Sequence, residues 1–304
     1  MKRTLTLSMT VLLTVAAGLV ATVGSAAAGP PAPRIITVAG PEMPTPRAAV
    51  SSTVTAKIHH YNICNAKRDA CTIEQAAVAQ DVLVWLVKSD GAWFVSINES
   101  CISSFRSLAN RLGAAGTFVV SRQKVTNCCP GADPLKCRPG NQEFGNALFH
   151  PGGVQQDGKA WFLPNPGKDC TDPETECRTM LCLKFNTFAG PMGQCAAHLG
   201  GRDEGETIDQ AIRYFSNAAD YMEAGRRYSI AGDFNLTPDK LPSLYDSMEN
   251  LVLGNTFPTR PAPNRQIDYI FVQDFGTTGS KAGYCPTNAS DHCYTSGDWR
   301  PLDS

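Results

Sequence analysis

Apolar residues follow two spacings along this chain, and the two spacings separate predicted helices from predicted strands. Three stretches have helical spacing. The first begins at Thr72, which forms a capping box with Gln75, and the others are Ser104 to Leu112 and Glu206 to Ala224. Short apolar runs predict strands at 54–62, 93–97, 117–121, 146–149, 160–163, 178–185, 194–198, 228–231 and 266–272.

The predicted strands outnumber the helices, but helices fall between them. This order is typical neither of strict βαβ alternation nor of an all-β protein. Two packed sheets with helices on their outer faces would accommodate it, so we predict an α/β fold. No linker interrupts the chain after residue 50, which indicates one domain over residues 51–304.

The first 28 residues have the pattern of a signal peptide. The basic pair Lys2 and Arg3 precedes a mostly apolar run from Leu5 to Val23, and the small residues Ser25 to Ala28 supply a cleavage site. A retained membrane anchor is the alternative, although the run is marginal for spanning. We expect a secreted monomer with no stable membrane span after cleavage, and a flexible N-terminal segment over residues 29–50.

Twelve cysteines in an exported chain indicate disulfide bonds rather than free thiols. Sequence proximity suggests four pairs, and the four cysteines left over would form two more bridges. A four-cysteine zinc site is the alternative, but the chain has no paired C-x2-C spacing. The suggested pairs are Cys64–Cys71, Cys170–Cys177, Cys182–Cys195 and Cys285–Cys293, with Cys101, Cys128, Cys129 and Cys137 left over.

The charge balance excludes one class of partner. The 27 basic and 28 acidic residues give a formal charge of −1, and loss of Lys2 and Arg3 with the leader changes it to −3. A tight, non-specific nucleic-acid binder would have a strongly basic surface. Weak or transient binding of a phosphodiester remains compatible with this balance.

The sequence Gly232-Asp233-Phe234-Asn235 is the first candidate for chemistry. Asp233 and Asn235 follow a predicted strand two residues apart, so on extended backbone their side chains would point the same way. A carboxylate beside a carboxamide can hold a hydrated cation, or a water and a phosphate oxygen. An Asx-turn that caps the strand end is the alternative interpretation.

Two late residues form a candidate acid–base pair. Asp268 lies within an apolar strand, where a buried carboxylate needs a partner, and His292 is the natural one. An Asp–His pair fixes the imidazole tautomer and raises its basicity, so we predict that His292 is a general base at neutral pH. His60 and His150 could line the same site, with a structural role as the default.

Seven short blocks, in their order along the chain, resemble the endonuclease/exonuclease/phosphatase superfamily, which includes DNase I. Each block is weak alone, but the ordered set is specific because chance would have to supply each in turn. The resemblance covers residues 54–294 and implies a four-layered α/β sandwich, with two mixed sheets packed face to face and helices outside. The blocks are Tyr61-Asn62-Ile63, Asn98-Glu99-Ser100, Gly145-Asn146-Ala147, Ala197-His198-Leu199, Gly232-Asp233-Phe234-Asn235, Ile267-Asp268-Tyr269-Ile270 and Ser290-Asp291-His292.

The resemblance implies a divalent-metal site. Glu99 would be the principal ligand, with Asn62 close by and Asp291 completing the acidic cluster. Mg²⁺ or Mn²⁺ would suit such oxygen ligands best, and Ca²⁺ could assist.

The resemblance also implies five catalytic residues. Asp233 and Asn235 would position the attacking water and the scissile phosphate. His198 would donate to a phosphate oxygen and help the leaving group. Asp268 would orient His292, and a carboxylate or the His–Asp pair would take the proton from water.

We therefore predict a secreted, metal-dependent phosphodiester hydrolase, with an extracellular nuclease acting on DNA or RNA as the leading interpretation. A sphingomyelinase-like phospholipid phosphodiesterase is one alternative, and a non-catalytic secreted binding module on the same fold is another. Two departures from the family pattern leave the substrate subclass open. Asn98 stands where Gln often precedes the metal-binding Glu, and Thr207 stands where Arg often precedes the helix Gln.

Overall fold

The computed structural model describes twelve segments of the chain. They are residues 32–39, 56–64, 72–90, 94–125, 142–150, 154–187, 190–223, 226–252, 258–261, 264–273, 275–276 and 281–301. The predicted signal peptide, residues 1–28, lies outside these segments. No helix within them is long and apolar enough to cross a membrane.

Fourteen strands and three α-helices occur in the described segments. The helices are α1 (Ile73–Asp90), α2 (Ile102–Leu112) and α3 (Glu204–Met222). The strands are β1 (Ile35–Val38), β2 (Ala56–Asn62), β3 (Phe94–Cys101), β4 (Ala115–Val125), β5 (Gln142–His150), β6 (Val154–Phe162), β7 (Thr179–Thr187), β8 (Gly190–His198), β9 (Arg227–Asp233), β10 (Glu249–Asn250), β11 (Asp268–Gln273), β12 (Phe275–Gly276), β13 (Lys281–Tyr284) and β14 (Tyr294–Pro301).

The described strands form two mixed sheets. The first has eight strands, of which seven follow the order β1-β4-β5-β3-β2-β14-β12, and β13 pairs with β14. The second has the order β10-β11-β9-β8-β7-β6. Each sheet contains a parallel pair, β2 with β3 and β8 with β9. Parallel neighbours need a crossover connection, and α1 and α3 supply these two crossovers.

Three apolar clusters divide the fold into layers. One cluster packs α1 and α2 against the first sheet and includes the buried side chains of Leu83 and Phe105. A second packs α3 against the second sheet and includes Tyr214. The third lies between the sheets and contains Leu148 from one and Leu181 from the other. The predicted four-layered α/β sandwich is confirmed.

Two of the three α-helices begin where a side-chain hydrogen bond satisfies a free amide, whereas α2 has no such cap. At α1 the predicted capping box is present: Thr72 N donates to Gln75 Oε1 at 2.7 Å and Gln75 N donates to Thr72 Oγ1 at 3.2 Å. At α3 the Asp203 side chain accepts from Glu206 N at 2.8 Å. Capping residues that lie close in sequence therefore set these boundaries.

One predicted boundary is wrong. The strand β1 pairs antiparallel with β4 at the edge of the first sheet, although the composition predicts a flexible segment over residues 29–50. The β-branched run Ile35-Ile36-Thr37-Val38 suits an edge strand, and tertiary pairing outweighs the surrounding glycines and prolines. The folded domain therefore begins upstream of residue 51.

Three predicted disulfides are confirmed: Cys170–Cys177, Cys182–Cys195 and Cys285–Cys293. Cys64 and Cys101 are also disulfide-bonded, so no described cysteine is free for a zinc site. The other predicted bridging residues lie outside the described segments. They are Cys71, Cys128, Cys129 and Cys137.

Candidate active site

Two parallel strand pairs bring polar side chains to one end of the sandwich. In the first sheet Asn62 ends β2, and in the second sheet His198 is registered opposite Asp233 where β8 and β9 end. The Asn62 side chain joins the two sheets. Its Nδ2 donates to Glu99 Oε1 at 3.2 Å and to Asp233 Oδ2 at 3.1 Å. The carboxyl ends of both parallel pairs therefore meet in one site.

Glu99 reaches this site because β3 is irregular. The register of β3 with β5 shifts between Ile97 and Ser100, and Glu99 has a left-handed φ of 55°. A bulge of this kind redirects a side chain that strand alternation would send to the opposite face. The consecutive residues Asn98 and Glu99 therefore both serve the site.

The segment after β9 forms the Asx-turn and also places Asn235 in the polar site, so both interpretations of Gly232-Asp233-Phe234-Asn235 apply. Asn235 N donates to Asp233 Oδ1 at 2.9 Å, which is an Asx-turn, and Asn235 has a φ of 52°. The expectation of extended backbone here is wrong, because the chain turns directly after the strand. The turn still brings Asn235 Nδ2 to 3.2 Å from His198 Nε2. The same His198 Nε2 lies 3.5 Å from Asp233 Oδ2 and 3.8 Å from Glu99 Oε1.

Asp268 is shared by two histidines. His292 Nδ1 donates to Asp268 Oδ2 at 2.8 Å, so the predicted pair is present. His60 Nε2 lies 3.2 Å from the other oxygen, Oδ1, and this contact was not predicted. The backbone N of Asp268 donates to Thr259 Oγ1 at 2.9 Å. All three members of the His60–Asp268–His292 group are buried.

The loop that carries His292 is anchored to the first sheet. Ser290 Oγ donates to the carbonyl oxygen of Asn62 at 2.6 Å and accepts from His292 N at 3.1 Å. The disulfide Cys285–Cys293 closes the same loop. His292 Nε2 lies 3.6 Å from Asp233 Oδ2, and 3.8 Å from Oδ1 of its neighbour Asp291.

Two buried asparagines support the site without a predicted role. Asn98 Oδ1 accepts from the backbone N of Asp233 at 2.8 Å, and Asn98 Nδ2 donates to Asn146 Oδ1 at 2.9 Å. These bonds join β3 and β5 of the first sheet to β9 of the second sheet next to Asp233. Both asparagines belong to the sequence blocks that resemble the superfamily, and this was the only indication of their role in the sequence.

Comparison with known proteins identifies the fold of the chain. No family model and no curated protein matches the sequence. An endonuclease/exonuclease/phosphatase from Beutenbergia cavernae matches with a TM-score of 0.58 at 18% identity, over 81% of this chain and 72% of that one. The catalytic domain of human Nocturnin with a bound sulfate anion matches with a TM-score of 0.59 at 16% identity, over 81% and 93%. The chain has the endonuclease/exonuclease/phosphatase fold.

A third structure with this endonuclease/exonuclease/phosphatase fold is a mannosyl-6-phosphatase from Bacteroides thetaiotaomicron. It matches with a TM-score of 0.56 at 15% identity, over 80% of this chain and 99% of that one. On the shared fold, all eight predicted site residues of this chain lie together. They are Asn62, Glu99, His198, Asp233, Asn235, Asp268, Asp291 and His292.

Burial and charge shift the pKa of three residues in this site. Burial and the neighbouring Asp268 carboxylate raise the pKa of Asp233 to about 7. Burial by itself would lower the pKa of His292, but Asp268 and Asp233 outweigh it and raise that pKa to about 10. Burial would raise the pKa of Asp268, yet the charges and hydrogen bonds of His292 and His60 hold it below its usual range.

The surroundings of His292 bear on its predicted role as a general base. Carboxylates on two sides favour the imidazolium form and raise the pKa of the ring. A protonated ring donates at Nε2, whereas a general base must accept a proton there. The role of His292 as a general base stays a prediction, and Asp233 is a second candidate for the proton acceptor.

The carboxylates of the site fit a divalent cation. Ligand atoms of Asp233, Asp268 and His292 lie within 4.8 Å of one another. Both oxygens of Asp268 are engaged by histidines, so the Glu99 carboxylate, which shares Asn62 Nδ2 with Asp233, is left to bind a cation. Oxygen donors of this kind suit a hard cation such as Mg²⁺ or Mn²⁺.

The Asn62 amide is oriented to position these carboxylates. Its Nδ2 faces Glu99 and Asp233, and its Oδ1 accepts from Cys64 N at 3.0 Å. In this orientation the Asn62 amide oxygen does not point at Glu99 and Asp233. Direct ligation by Asn62 stays a prediction.

Proposed function

We propose that this protein is a secreted, divalent-metal-dependent phosphoesterase that hydrolyses phosphodiester bonds, with nucleic acid as its leading substrate. The observation that carries the proposal is the Asp268–His292 pair at 2.8 Å, with Asp233 Oδ2 3.6 Å from His292 Nε2. Strongly shifted pKa values in one polar site are typical of catalytic groups.

The neighbours on the same fold support phosphoester chemistry. One is a mannosyl-6-phosphatase, and another binds a sulfate anion, which has the shape of a phosphate group. A third is TDP2 of Caenorhabditis elegans. Function belongs to the site rather than the fold, so the proposal depends on the side chains described above.

His292 is suited to hold an anionic phosphate, because its protonated ring would donate at Nε2. On the other side of Asp233, Asn235 Nδ2 donates to Leu199 O and lies 3.2 Å from His198 Nε2, which places both side chains beside the same carboxylate. Fixed donors stabilise the charge that develops on the phosphate oxygens during attack. Asp268 keeps His292 in position because its Oδ2 accepts from Nδ1.

Asp233 is suited to accept the proton of the attacking water. Its Oδ1 is fixed by Asn235 N, while its Oδ2 faces the two catalytic histidines. A pKa near 7 matches a general base at neutral pH. A divalent cation held by Glu99 and Asp291 would neutralise phosphate oxygens when bound.

Secretion is proposed from the leader pattern and the disulfides. Residues 1–28 have the order of a basic, an apolar and a small-residue region. Disulfides such as Cys182–Cys195 persist in oxidising compartments.

The test is a substrate panel with the mature protein, residues 29–304. Plasmid DNA, RNA, sphingomyelin, inositol phosphates and bis-p-nitrophenyl phosphate are incubated with Mg²⁺, Mn²⁺ or Ca²⁺. We expect hydrolysis of bis-p-nitrophenyl phosphate and of nucleic acid. Turnover of sphingomyelin alone would favour the phospholipid alternative. No turnover of any substrate would overturn the proposal and favour a binding module.

A further inference from the structure

Two adjoining cavities carry cationic side chains that the proposed chemistry does not use. Their volumes are about 340 Å³ and about 380 Å³, and Asn235 lines the larger one. Gly201, Arg202 and Asp203 line both, so the cavities form one surface that runs from the active site past the start of α3. We call this surface the basic cleft. Its cations are Arg122, Lys168, Arg178, Arg202, Lys240 and Arg265.

Most of these cations lack an internal counter-ion. Two are paired: Arg178 with Glu176 at 2.8 Å and Lys240 with Glu204 at 3.1 Å. The other four make no ion pair within 4.0 Å of any residue that the structure describes, although Arg122 helps to lower the pKa of the Asp172 carboxyl. Arg122 is half-buried, and its buried Nε has no hydrogen-bond partner within the described segments. A buried donor without a partner is costly, so an anion in the cleft would satisfy it.

The remaining acids of the basic cleft are engaged with α3. Asp203 accepts from Glu206 N at 2.8 Å as the helix cap, and Glu206 Oε1 accepts from Gln210 Nε2 at 2.9 Å. Their hydrogen bonds direct these carboxylates toward the helix. The cleft therefore keeps an excess of positive charge, although the whole chain has a formal charge of −1.

The walls of the basic cleft are fixed. Gly200 N donates to Gln210 Oε1 at 2.6 Å, and Thr207 Oγ1 donates to Gly200 O at 2.8 Å. On the other wall, the disulfide Cys170–Cys177 closes the loop between Lys168 and Arg178. A preformed surface loses little conformational entropy when a ligand binds.

We propose that the basic cleft binds a second phosphate of the substrate, so that the preferred substrate class is a nucleic-acid strand. The proposal rests on the phosphoesterase function above. Asn235 belongs both to the active site and to the cleft wall, so a phosphate next to the scissile one would enter the cleft on the side that Arg202 and Arg265 line. A zwitterionic lipid headgroup has no second anionic group to place there.

The experiment compares dithymidine monophosphate with the same dinucleotide carrying an additional 5′- or 3′-terminal phosphate. Bis-p-nitrophenyl phosphate, which also has a single phosphate, reports the basal phosphodiesterase activity without a nucleoside. We expect an additional phosphate to raise kcat/KM about tenfold, as one charge-assisted contact would. Arg122→Gln and Arg202→Gln should each reduce this advantage, without changing turnover of bis-p-nitrophenyl phosphate. Arg213→Gln is the matched control, because Arg213 is an exposed arginine of α3 outside the cleft.

Binding of the same dinucleotides is measured by calorimetry in chelator, where turnover is not required. If the additional phosphate strengthens binding and Arg202→Gln removes this gain, the inference is supported even when no hydrolysis occurs. In that case only the phosphoesterase proposal is refuted. The inference is overturned if all three dinucleotides bind and react equally well. It is also overturned if the gain from the additional phosphate is the same in Arg122→Gln, in Arg202→Gln and in the original protein. Hydrolysis of bis-p-nitrophenyl phosphate in that case leaves the phosphoesterase proposal intact. Thermal melting shows that each variant is folded.

Discussion

His60 and His292 bind the two oxygens of one carboxylate. His60 Nε2 lies 3.2 Å from Asp268 Oδ1, while His292 Nδ1 donates to Asp268 Oδ2 at 2.8 Å. His60 Nδ1 in turn lies 3.2 Å from Ser96 Oγ, which ties the group to β3. Asp268 is thus held from both sides, and its orientation fixes the ring of His292.

We expect His60 to act on rate through Asp268. In His60→Leu the carboxylate loses one partner, so kcat should fall about tenfold while KM stays the same, as for other residues that orient a catalytic group. The measurement is steady-state kinetics on bis-p-nitrophenyl phosphate. His60→Gln keeps a donor and should recover most of the rate. A rise in KM without a fall in kcat would contradict this role.

Asp233→Ala and His292→Ala should each abolish hydrolysis while the protein stays folded. One removes the proposed proton acceptor, and the other removes the charged donor 3.6 Å away. We expect kcat to fall at least about a thousandfold in both. Circular dichroism and thermal melting report the fold. Activity within tenfold of the original in either variant would exclude its assigned role.

A divalent cation should stabilise the protein through Glu99. Ligand binding to the native state at a hundredfold excess over Kd contributes about 2.7 kcal/mol, so the melting temperature should rise when Mn²⁺ or Mg²⁺ replaces chelator. Glu99→Gln should suppress this rise. Glu174→Gln, which changes an exposed loop acid, is the control and should keep it. An equal rise in Glu99→Gln would place the metal elsewhere.

His59 should make the fold sensitive to acid. Burial, with the nearby Lys57 charge, lowers the pKa of His59 from 6.5 to about 3, and neither ring nitrogen has a hydrogen-bond partner among the described residues. The unfolded state binds the proton more readily, so stability from the neutral ring is complete above pH 6.5 and is lost as the pH falls toward 3. The expected loss is about 2 kcal/mol at pH 5.

Urea unfolding of His59→Leu between pH 7.5 and pH 4.5 measures this contribution. The variant should lose less stability on acidification than the original protein, and its activity at pH 7.5 should be unchanged. His59 lies on the face of β2 opposite to His60, so it also serves as the positional control for the His60 variants. If the free energy of unfolding falls equally with pH in His59→Leu and in the original protein, His59 does not cause the acid sensitivity.

Gly232 should tolerate no side chain. A Cβ at this position would overlap the carbonyl oxygen of Ala197 on the neighbouring parallel strand β8. Gly232→Ala should therefore cost about 2–3 kcal/mol of unfolding free energy and displace the adjacent Asp233. Gly205→Ala, in the first turn of α3, is the control and should cost much less, because its Cβ would meet only Asp203 Oδ1, at 3.3 Å. Chemical denaturation of both variants measures the difference.

The sequence by itself determined features that depend on neighbouring residues. The capping box of Thr72 and Gln75, the close disulfide Cys170–Cys177 and the Asx-turn at Asp233 each follow from short-range chemistry. The ordered polar blocks also predicted which side chains meet, because Asn62, His198, Asp233 and Asp268 each end or begin a strand of a recurring fold. The edge strand β1 was missed because its pairing partner is more than 75 residues away in the chain.

Only the tertiary structure decided how the site residues are oriented and charged. The bulge in β3 directs Glu99 inward, and His60 reaches Asp268 across a sequence separation of 208 residues. The raised pKa of His292 depends on the carboxylates of Asp268 and Asp233, which belong to two strands of the second sheet. The basic cleft likewise joins loops that are far apart in the chain. Electrostatic fields and burial act through space, so an amino-acid sequence specifies them only after the chain has folded.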